Sequence, residues 1–226
     1  TGQIFRCFIM RVGILGGGLQ GYRRAKAIQD CGDEIVAISD IDNTKRELFA
    51  VEFKCEGILD WRDLTTRNDV DIIVVCTPNY LHASMCIEAL RNKKHVLCEK
   101  PLATTVEQAL RMVEVSKQTG MKLKCGFNLR YHPGIQKAKE WIDNGAIGKL
   151  MYTRLRYGMT GSPGYDLEWR AKPEFSGGGE LMDQGVHALD LSRWVLGEFS
   201  EVCCFLSTSY WTKSDVEDNA FCMLRT

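Results

Sequence analysis

An excess of charge of either sign is missing from this 226-residue chain, in which 29 basic residues stand against 29 acidic ones. That excludes nucleic-acid binding or membrane-surface binding through bulk positive charge. Also missing is any run of 18 or more apolar residues, which excludes a membrane-spanning helix. No two of the ten cysteines have the C-x-x-C spacing, so zinc ribbons and thioredoxin-type redox sites are excluded. No internal repeat, low-complexity segment or signal peptide is visible. What is present suits a globular protein: 45% hydrophobic and 26% charged residues can bury a core without disulfides. Cys76, Cys98 and Cys125 each close an apolar run and read as small buried hydrophobes, which predicts reduced core thiols and a cytoplasmic location. The nine residues before Met10 read as a remnant or upstream read-through, because Met10-Arg11-Val12-Gly13-Ile14-Leu15-Gly16 is a more natural opening.

From Met10 to about Cys125 short apolar runs alternate with helix-like segments. The runs are Val12–Leu15, Ile35–Ser39, Ile72–Cys76, Val96–Cys98 and Leu123–Cys125, and the segments are Leu19–Asp30, Thr44–Glu52, Tyr80–Arg91 and Thr104–Gln118. Thr104 and Thr105 ahead of Glu107 and Gln108 form a capping-box pattern. Mostly unalternating strands between helices predict an α/β, doubly wound parallel sheet over residues 10–126. Residues 127–226 predict a second, α+β domain with a mostly antiparallel open sheet. There Pro133–Asn144 and Leu181–Leu196 read as helices, Leu150–Tyr157, Val202–Tyr210 and Ala220–Leu224 as strands, and Thr160–Gly179 as a long loop. The last strand has no turn behind it, so that sheet reads as truncated or as covered by a partner.

Directly after the first strand stands Gly16-Gly17-Gly18-Leu19-Gln20-Gly21, a G-x-G-x-x-G turn that opens a helix. In that context the first glycine makes the turn, the second admits a pyrophosphate and the third packs helix on strand, so Gly16, Gly18, Leu19, Gln20 and Gly21 are candidate dinucleotide contacts. Asp40, at the end of the second strand, is placed to accept from the adenosine ribose hydroxyls and would repel a 2′-phosphate, which favours NAD over NADP; Asp42 is its rival. Arg23 and Arg24 are expected on the outer face of the helix.

Ligands in such sheets lie beyond the carboxyl ends of the strands. Three polar segments leave there: Thr77-Pro78-Asn79 with His82, Glu99-Lys100-Pro101, and Gly126-Phe127-Asn128 with Arg130. Lys100 at a strand end can stabilise an alkoxide or relay a proton, or it can be an exposed loop lysine; the proline after it can take a cis bond. In the second half, Asp183 and His187 are four residues apart on a predicted helix, behind Gly177-Gly178-Gly179, which would let the segment approach a ligand. A carboxylate beside an imidazole supports a general base near neutral pH, while an N-cap aspartate and a core histidine are the bland readings. No third ligand at a recognisable spacing supports a metal site.

Taken together these motifs resemble the glucose–fructose oxidoreductase / inositol dehydrogenase / rhizopine catabolism (Gfo/Idh/MocA) family: Gly16–Gly21, Asp40, Thr77-Pro78-Asn79 with His82, Glu99-Lys100-Pro101, Gly178-Gly179 with Asp183 and His187, and also Ile147-Gly148-Lys149-Leu150 and Trp194 with Leu196-Gly197. The resemblance runs from Met10 to Thr226 and implies an NAD(P)-dependent oxidoreductase. Hydride would pass between nicotinamide and a carbinol or keto carbon of a sugar, cyclitol or sugar derivative. It implies Lys100, Asp183 and His187 as catalytic residues: Lys100 orienting the hydroxyl, His187 as general base or acid, Asp183 holding substrate. Glu99 would brace the turn or touch cofactor, Asn79 the nicotinamide ribose, and Thr77, Pro78, His82 and Asn128 the cofactor. Arg130, Trp169 and Arg170 are weaker candidates for the substrate pocket. Members are usually longer, and the sheet of the second domain commonly forms the oligomer interface, which implies a homo-oligomer. A non-catalytic dinucleotide sensor of the same fold is the alternative reading.

Overall fold

A computed structural model describes residues 8–161 and 163–226. The described residues divide into two compact units, one ending at Gly126 and the other beginning at Phe127.

In the first unit the order is β1 (Arg11–Leu15), α1 (Leu19–Asp30), β2 (Glu34–Ser39), α2 (Asn43–Phe53), β3 (Glu56–Ile58), α3 (Trp61–Thr66), β4 (Ile72–Val75), α4 (Asn79–Arg91), β5 (His95–Cys98), α5 (Val106–Thr119) and β6 (Leu123–Cys125). The strands form one parallel sheet ordered β3-β2-β1-β4-β5-β6. Alternation along each strand feeds two separate cores. Val12, Ile14 and Val74 pack with Phe49 and Phe53 of α2 on one face, while Leu15, Ile73 and Val75 pack with Leu64, Leu90 and Met112 on the other. Full burial of side chains such as Ile14, Leu15 and Ile73 contributes about 1.5–3 kcal/mol each. The strand order reverses between β1 and β4, and the crevice beyond their carboxyl ends is where a parallel sheet offers a ligand site.

Helix capping marks the same place. Asp42, Asp60 and Thr105 cap α2, α3 and α5 with side-chain oxygens, whereas Gly18 before α1 and Pro78 before α4 offer no side-chain cap. The two helices that flank the reversal therefore leave their first N–H groups to another acceptor. At α5 the predicted capping box is displaced by one residue: Gln108 reaches back to the backbone N–H and hydroxyl of Thr104. Of the three cysteines read as core thiols, Cys98 is buried while Cys76 and Cys125 are half-buried; Cys86 is buried as well, and Cys31, Cys203 and Cys204 are exposed.

In the second unit a 3-10 turn (Asn128–Tyr131) leads into α6 (Pro133–Asp143). Short turns at Tyr165–Leu167 and Trp169–Ala171 precede α7 (Pro173–Ser176). A π-helical turn (Leu181–Gly185) then runs into α8 (Val186–Leu196), and β7 (Glu201–Ser207) pairs antiparallel with β8 (Asn219–Arg225). The predicted strand Leu150–Tyr157 is not one. Residues 151–160 take no regular structure, and Met151 and Tyr152 are exposed. An alternating pattern makes a strand only where a neighbour completes its hydrogen bonds, and no described strand pairs with this segment. Among the described residues no helix is long and apolar enough to cross a membrane.

Candidate active site

The glycine turn closes on backbone. Gly16 has φ +98°, and a Cβ on it would lie 2.8 Å from the carbonyl oxygen of Cys76. A Cβ on Gly21 would lie 2.0 Å from the carbonyl oxygen of Gly16, so helix α1 packs on the turn with no room for a side chain. At Gly18, by contrast, a Cβ would meet no atom of the described residues within 4 Å. The first and third glycines thus serve the chain's own packing, and the second leaves an open approach to the N-terminus of α1. The side chains of Leu19 and Gln20 point to solvent, which leaves their backbone N–H groups as the useful parts.

Asp40 accepts from Gly17 N at 2.7 Å and from Asp42 N at 2.9 Å, so its carboxylate sits beside the turn. Asp42 is occupied as the cap of α2, accepting from Lys45 N at 3.1 Å. Of the two acidic residues only Asp40 faces the site.

Lys100 is half-buried, and the Lys100–Pro101 peptide is cis. The residues around it are held from two sides. Glu99 is 8% exposed and accepts from Arg24 Nε at 2.6 Å, and its other oxygen lies 3.4 Å from Lys100 N. His82, expected to touch a cofactor, is instead wholly buried: its Nδ1 lies 2.8 Å from the Pro101 carbonyl and its Nε2 2.9 Å from the Thr77 carbonyl. Burial pulls this imidazole below its ordinary pKa, against the two carbonyls, which favour a proton. Arg23 is exposed as expected, but Arg24 turns inward to Glu99 rather than lying on the outer face. Thr77 contacts the sulfur of Met85 at 3.4 Å, Pro78 precedes α4, and Asn79 is buried in its first turn. Burial, with the Glu99 charge, drives the Cys76 thiol far above its usual range and keeps it inert.

In the second unit His187 is 6% exposed and lies edge-on to Phe127 at 6.1 Å and tilted to Tyr157 at 5.6 Å between ring centroids. Asp183 lies in the π turn one residue before Gln184, whose amide donates to it at 3.1 Å. Insertions of this kind re-aim side chains and recur at functional sites. Half-buried Tyr165 is raised above the usual phenol range by burial and then by the Asp183 and Glu180 charges. Arg130, expected in the substrate pocket, is committed elsewhere: it donates to both carboxylate oxygens of Asp190 at 2.7 and 2.6 Å and stacks over Trp194. Arg170 lies 4.5 Å over the Trp169 ring and donates to Glu168. Asn128 is exposed at the start of the 3-10 turn.

Two models of protein families match the chain: "Oxidoreductase family, NAD-binding Rossmann fold" over residues 10–127 and "GFO/IDH/MocA C-terminal domain" over residues 135–226. The chain belongs to the GFO/IDH/MocA oxidoreductase family. Levoglucosan dehydrogenase of Pseudarthrobacter phenanthrenivorans is 32% identical over 211 residues, covering 88% of this chain and 54% of that protein. Myo-inositol 2-dehydrogenase of Thermotoga maritima is 31% identical over 194 residues, covering 84% of the chain and 55% of that protein. A solved structure of levoglucosan dehydrogenase with NADH and levoglucosan superposes with a TM-score of 0.87 at 30% identity, covering 96% of this chain and 64% of that one. This chain spans about half the length of the curated relatives it matches.

In this GFO/IDH/MocA chain the sequence reading missed Glu217. A Cβ on Gly179 would lie 1.9 Å from the Glu217 carbonyl oxygen, and the Glu217 carboxylate accepts from Gly179 N at 2.9 Å and Leu181 N at 3.1 Å. The third glycine of Gly177–Gly179 therefore makes room for residue 217, not for a ligand. An acidic residue 38 positions later carries no local signal that it caps this turn. A cavity of about 30 Å³ beside Tyr165, Glu180, Trp211 and Glu217 is far too small for a sugar.

Proposed function

We propose that the protein is an NAD-dependent oxidoreductase that moves a hydride between nicotinamide and a carbinol or keto carbon of a sugar, cyclitol or sugar derivative. The observation that carries it is the cradle at β1: an open approach at Gly18 to an uncapped helix N-terminus, with Asp40 beside it and Lys100 on a nearby strand end. Those features fit a dinucleotide. The N–H groups of α1 would hold the pyrophosphate, and Asp40 would accept from the adenosine ribose and disfavour a 2′-phosphate, which makes NAD the cofactor rather than NADP. Thr77, Pro78 and Asn79, at the second uncapped helix, and Asn128 would complete the nicotinamide end. When bound, the dinucleotide supplies the hydride acceptor or donor.

The residues of the chain handle the proton. Lys100 holds the substrate oxygen and stabilises charge that develops there. His187 takes the hydroxyl proton in oxidation and returns it in reduction, and Asp183 holds the substrate and the imidazole. Trp169 and Arg170 remain candidates for the pocket; Arg130, whose guanidinium is paired at both ends with the largely buried Asp190, is the weaker one. Residues 10–126 form the cofactor domain of this reading and 127–226 the substrate domain, in a cytoplasmic homo-oligomer. Val202, Phe205, Phe221 and Met223 in solvent on β7 and β8 support association through that sheet.

The test is NADH binding by fluorescence, followed by absorbance at the nicotinamide band with NAD and a panel of sugars and cyclitols. Lys100→Ala and His187→Ala should each lower turnover by about 10²–10⁴-fold with NADH affinity retained. Unchanged turnover in both variants removes these residues from the mechanism. NADH binding with no turnover on any panel member favours a dinucleotide-binding regulator instead.

A further inference from the structure

The first unit holds an ion pair to which the proposed chemistry gives no task. Arg24, in the second turn of α1, has 23% of its side chain exposed, and Glu99, just past β5, has 11%. Nε and Nη2 of the guanidinium both reach Glu99 Oε1, at 2.6 and 2.5 Å. The second carboxylate oxygen is confined as well: a Cβ at Gly126 would lie 2.9 Å from Oε2 and 3.2 Å from Arg24 Nη2. Taking two charges out of water costs several kcal/mol per ion before their attraction offsets it, so a pair of this kind is a weak device for stability. What it provides is direction. Its two partners join α1, whose N-terminus faces the open approach at Gly18, to the residue immediately before Lys100.

We propose that Arg24 is a positioning residue for Lys100, fixing the Glu99–Lys100 turn to the helix that receives the cofactor phosphates. This rests on the function proposed above. His82 of α4 anchors the far side of the turn through the Pro101 carbonyl, Arg24 of α1 anchors the near side through Glu99, and Lys100 lies between the two. Cofactor and lysine are thereby referenced to the same pair of helices. A lysine at position 24 would keep the charge but lose the planar fork that places two nitrogens on one oxygen.

The test uses the full chain labelled with ¹³C at the lysine ε-carbon, the Lys100 signal being assigned by its loss in Lys100→Arg. In the wild type that signal is displaced from those of exposed lysines and moves on addition of NADH. In Arg24→Met it moves to the exposed-lysine position and stops responding to NADH. The paired variant Arg24→Met/Glu99→Leu, which removes both charges at similar volume and so guards against simple unfolding, behaves the same way. NADH still binds to Arg24→Met, whose side chain meets Glu99 and no proposed cofactor group, so the lost response is not lost cofactor. Arg24→Lys recovers part of the response. A Lys100 signal unchanged in the folded paired variant, whatever its melting temperature, makes the pair purely structural and overturns the assignment. A wild-type Lys100 signal that ignores NADH overturns the dinucleotide reading beneath it, and is told apart because it shows before any substitution is made.

Discussion

Strands β4 and β5 of the first unit run between two apolar layers, and Ile73, Val75 and Cys98 have no exposed surface. Strands β7 and β8 of the second unit leave Val202, Phe205, Phe221 and Met223 more than two-thirds exposed. Polar groups differ as well. In the first unit Arg24, His82 and Glu99 hold the turn beyond the end of β5, while Arg11 with Asp71, and Lys94 with the Val70 carbonyl, tie the chain together elsewhere. In the second, Arg130, Asp190, Glu217 and Asp218 are spread among distant segments, each tying two stretches of chain together. A parallel sheet with its own cores can concentrate its polar residues on a ligand. A unit with a two-stranded sheet uses them to hold itself in shape.

The largest test of that contrast is Gly21→Ala. Its new Cβ would lie 2.0 Å from a backbone oxygen that cannot move without breaking the turn. We expect a loss above about 4 kcal/mol in urea unfolding, together with loss of NADH binding. Near-normal stability would mean that the turn has slack and that the first unit is less tightly built than its geometry indicates.

The corresponding test in the second unit is Arg130→Ala. It strands Asp190, whose side chain is 9% exposed, next to Trp194. A fully buried carboxylate left alone would cost about 3–5 kcal/mol; because a third of Arg130 meets water, about 2 kcal/mol is expected. Adding Asp190→Asn should recover part of it. Affinity for substrate, once a substrate is found, should change no more than stability does. A selective loss of affinity at full stability would return Arg130 to the pocket.

His82 sharpens the comparison through pH. Burial keeps the folded imidazole neutral below its ordinary value of 6.5, while the unfolded chain takes up a proton as pH falls through that value. Stability is therefore whole above about pH 6.5 and is lost on acidification, by about 1.4 kcal/mol per unit until the folded pKa is reached. His82→Gln should flatten this slope in urea midpoints measured between pH 7.5 and 5. Equal slopes would show that the two carbonyls outweigh burial and keep the ring charged.

How much of this was legible in the sequence follows the same division. Helix α1 was placed to the residue, and β1, β2, β4, β5 and β6 to within one, because their apolar periods are local and their ends carry Gly, Pro or Thr. The short β3 and α3 escaped: three and six residues are too few to show a period. In the second unit Leu150–Tyr157 has the right alternation and no partner, and pairing is a property of distant chain that no window contains. The glycine turn and Asp40 were readable because chemistry and backbone coincide there. His82 and Arg130 misled because a polar residue near a strand end looks the same whether it faces a ligand or a carbonyl. Only the folded chain brings Pro101 and Asp190 to them as partners.

The smallest effect is expected where exposure is greatest. Phe205 and Phe221 stand opposite each other across β7 and β8, each 73% exposed. A cross-strand aromatic pair contributes about 0.2–1 kcal/mol, and substitution on a solvated face rarely exceeds about 0.5 kcal/mol. Phe205→Thr keeps a strand-favouring residue while removing the ring, so the urea midpoint should barely move. Self-association is a different quantity, because a contiguous apolar face in water favours contact with any similar face. Sedimentation of Phe205→Thr should therefore show less association than the wild type at equal stability. If it instead loses several kcal/mol with no change in association, the ring is buried in solution, and the second unit is built more like the first than its surface indicates.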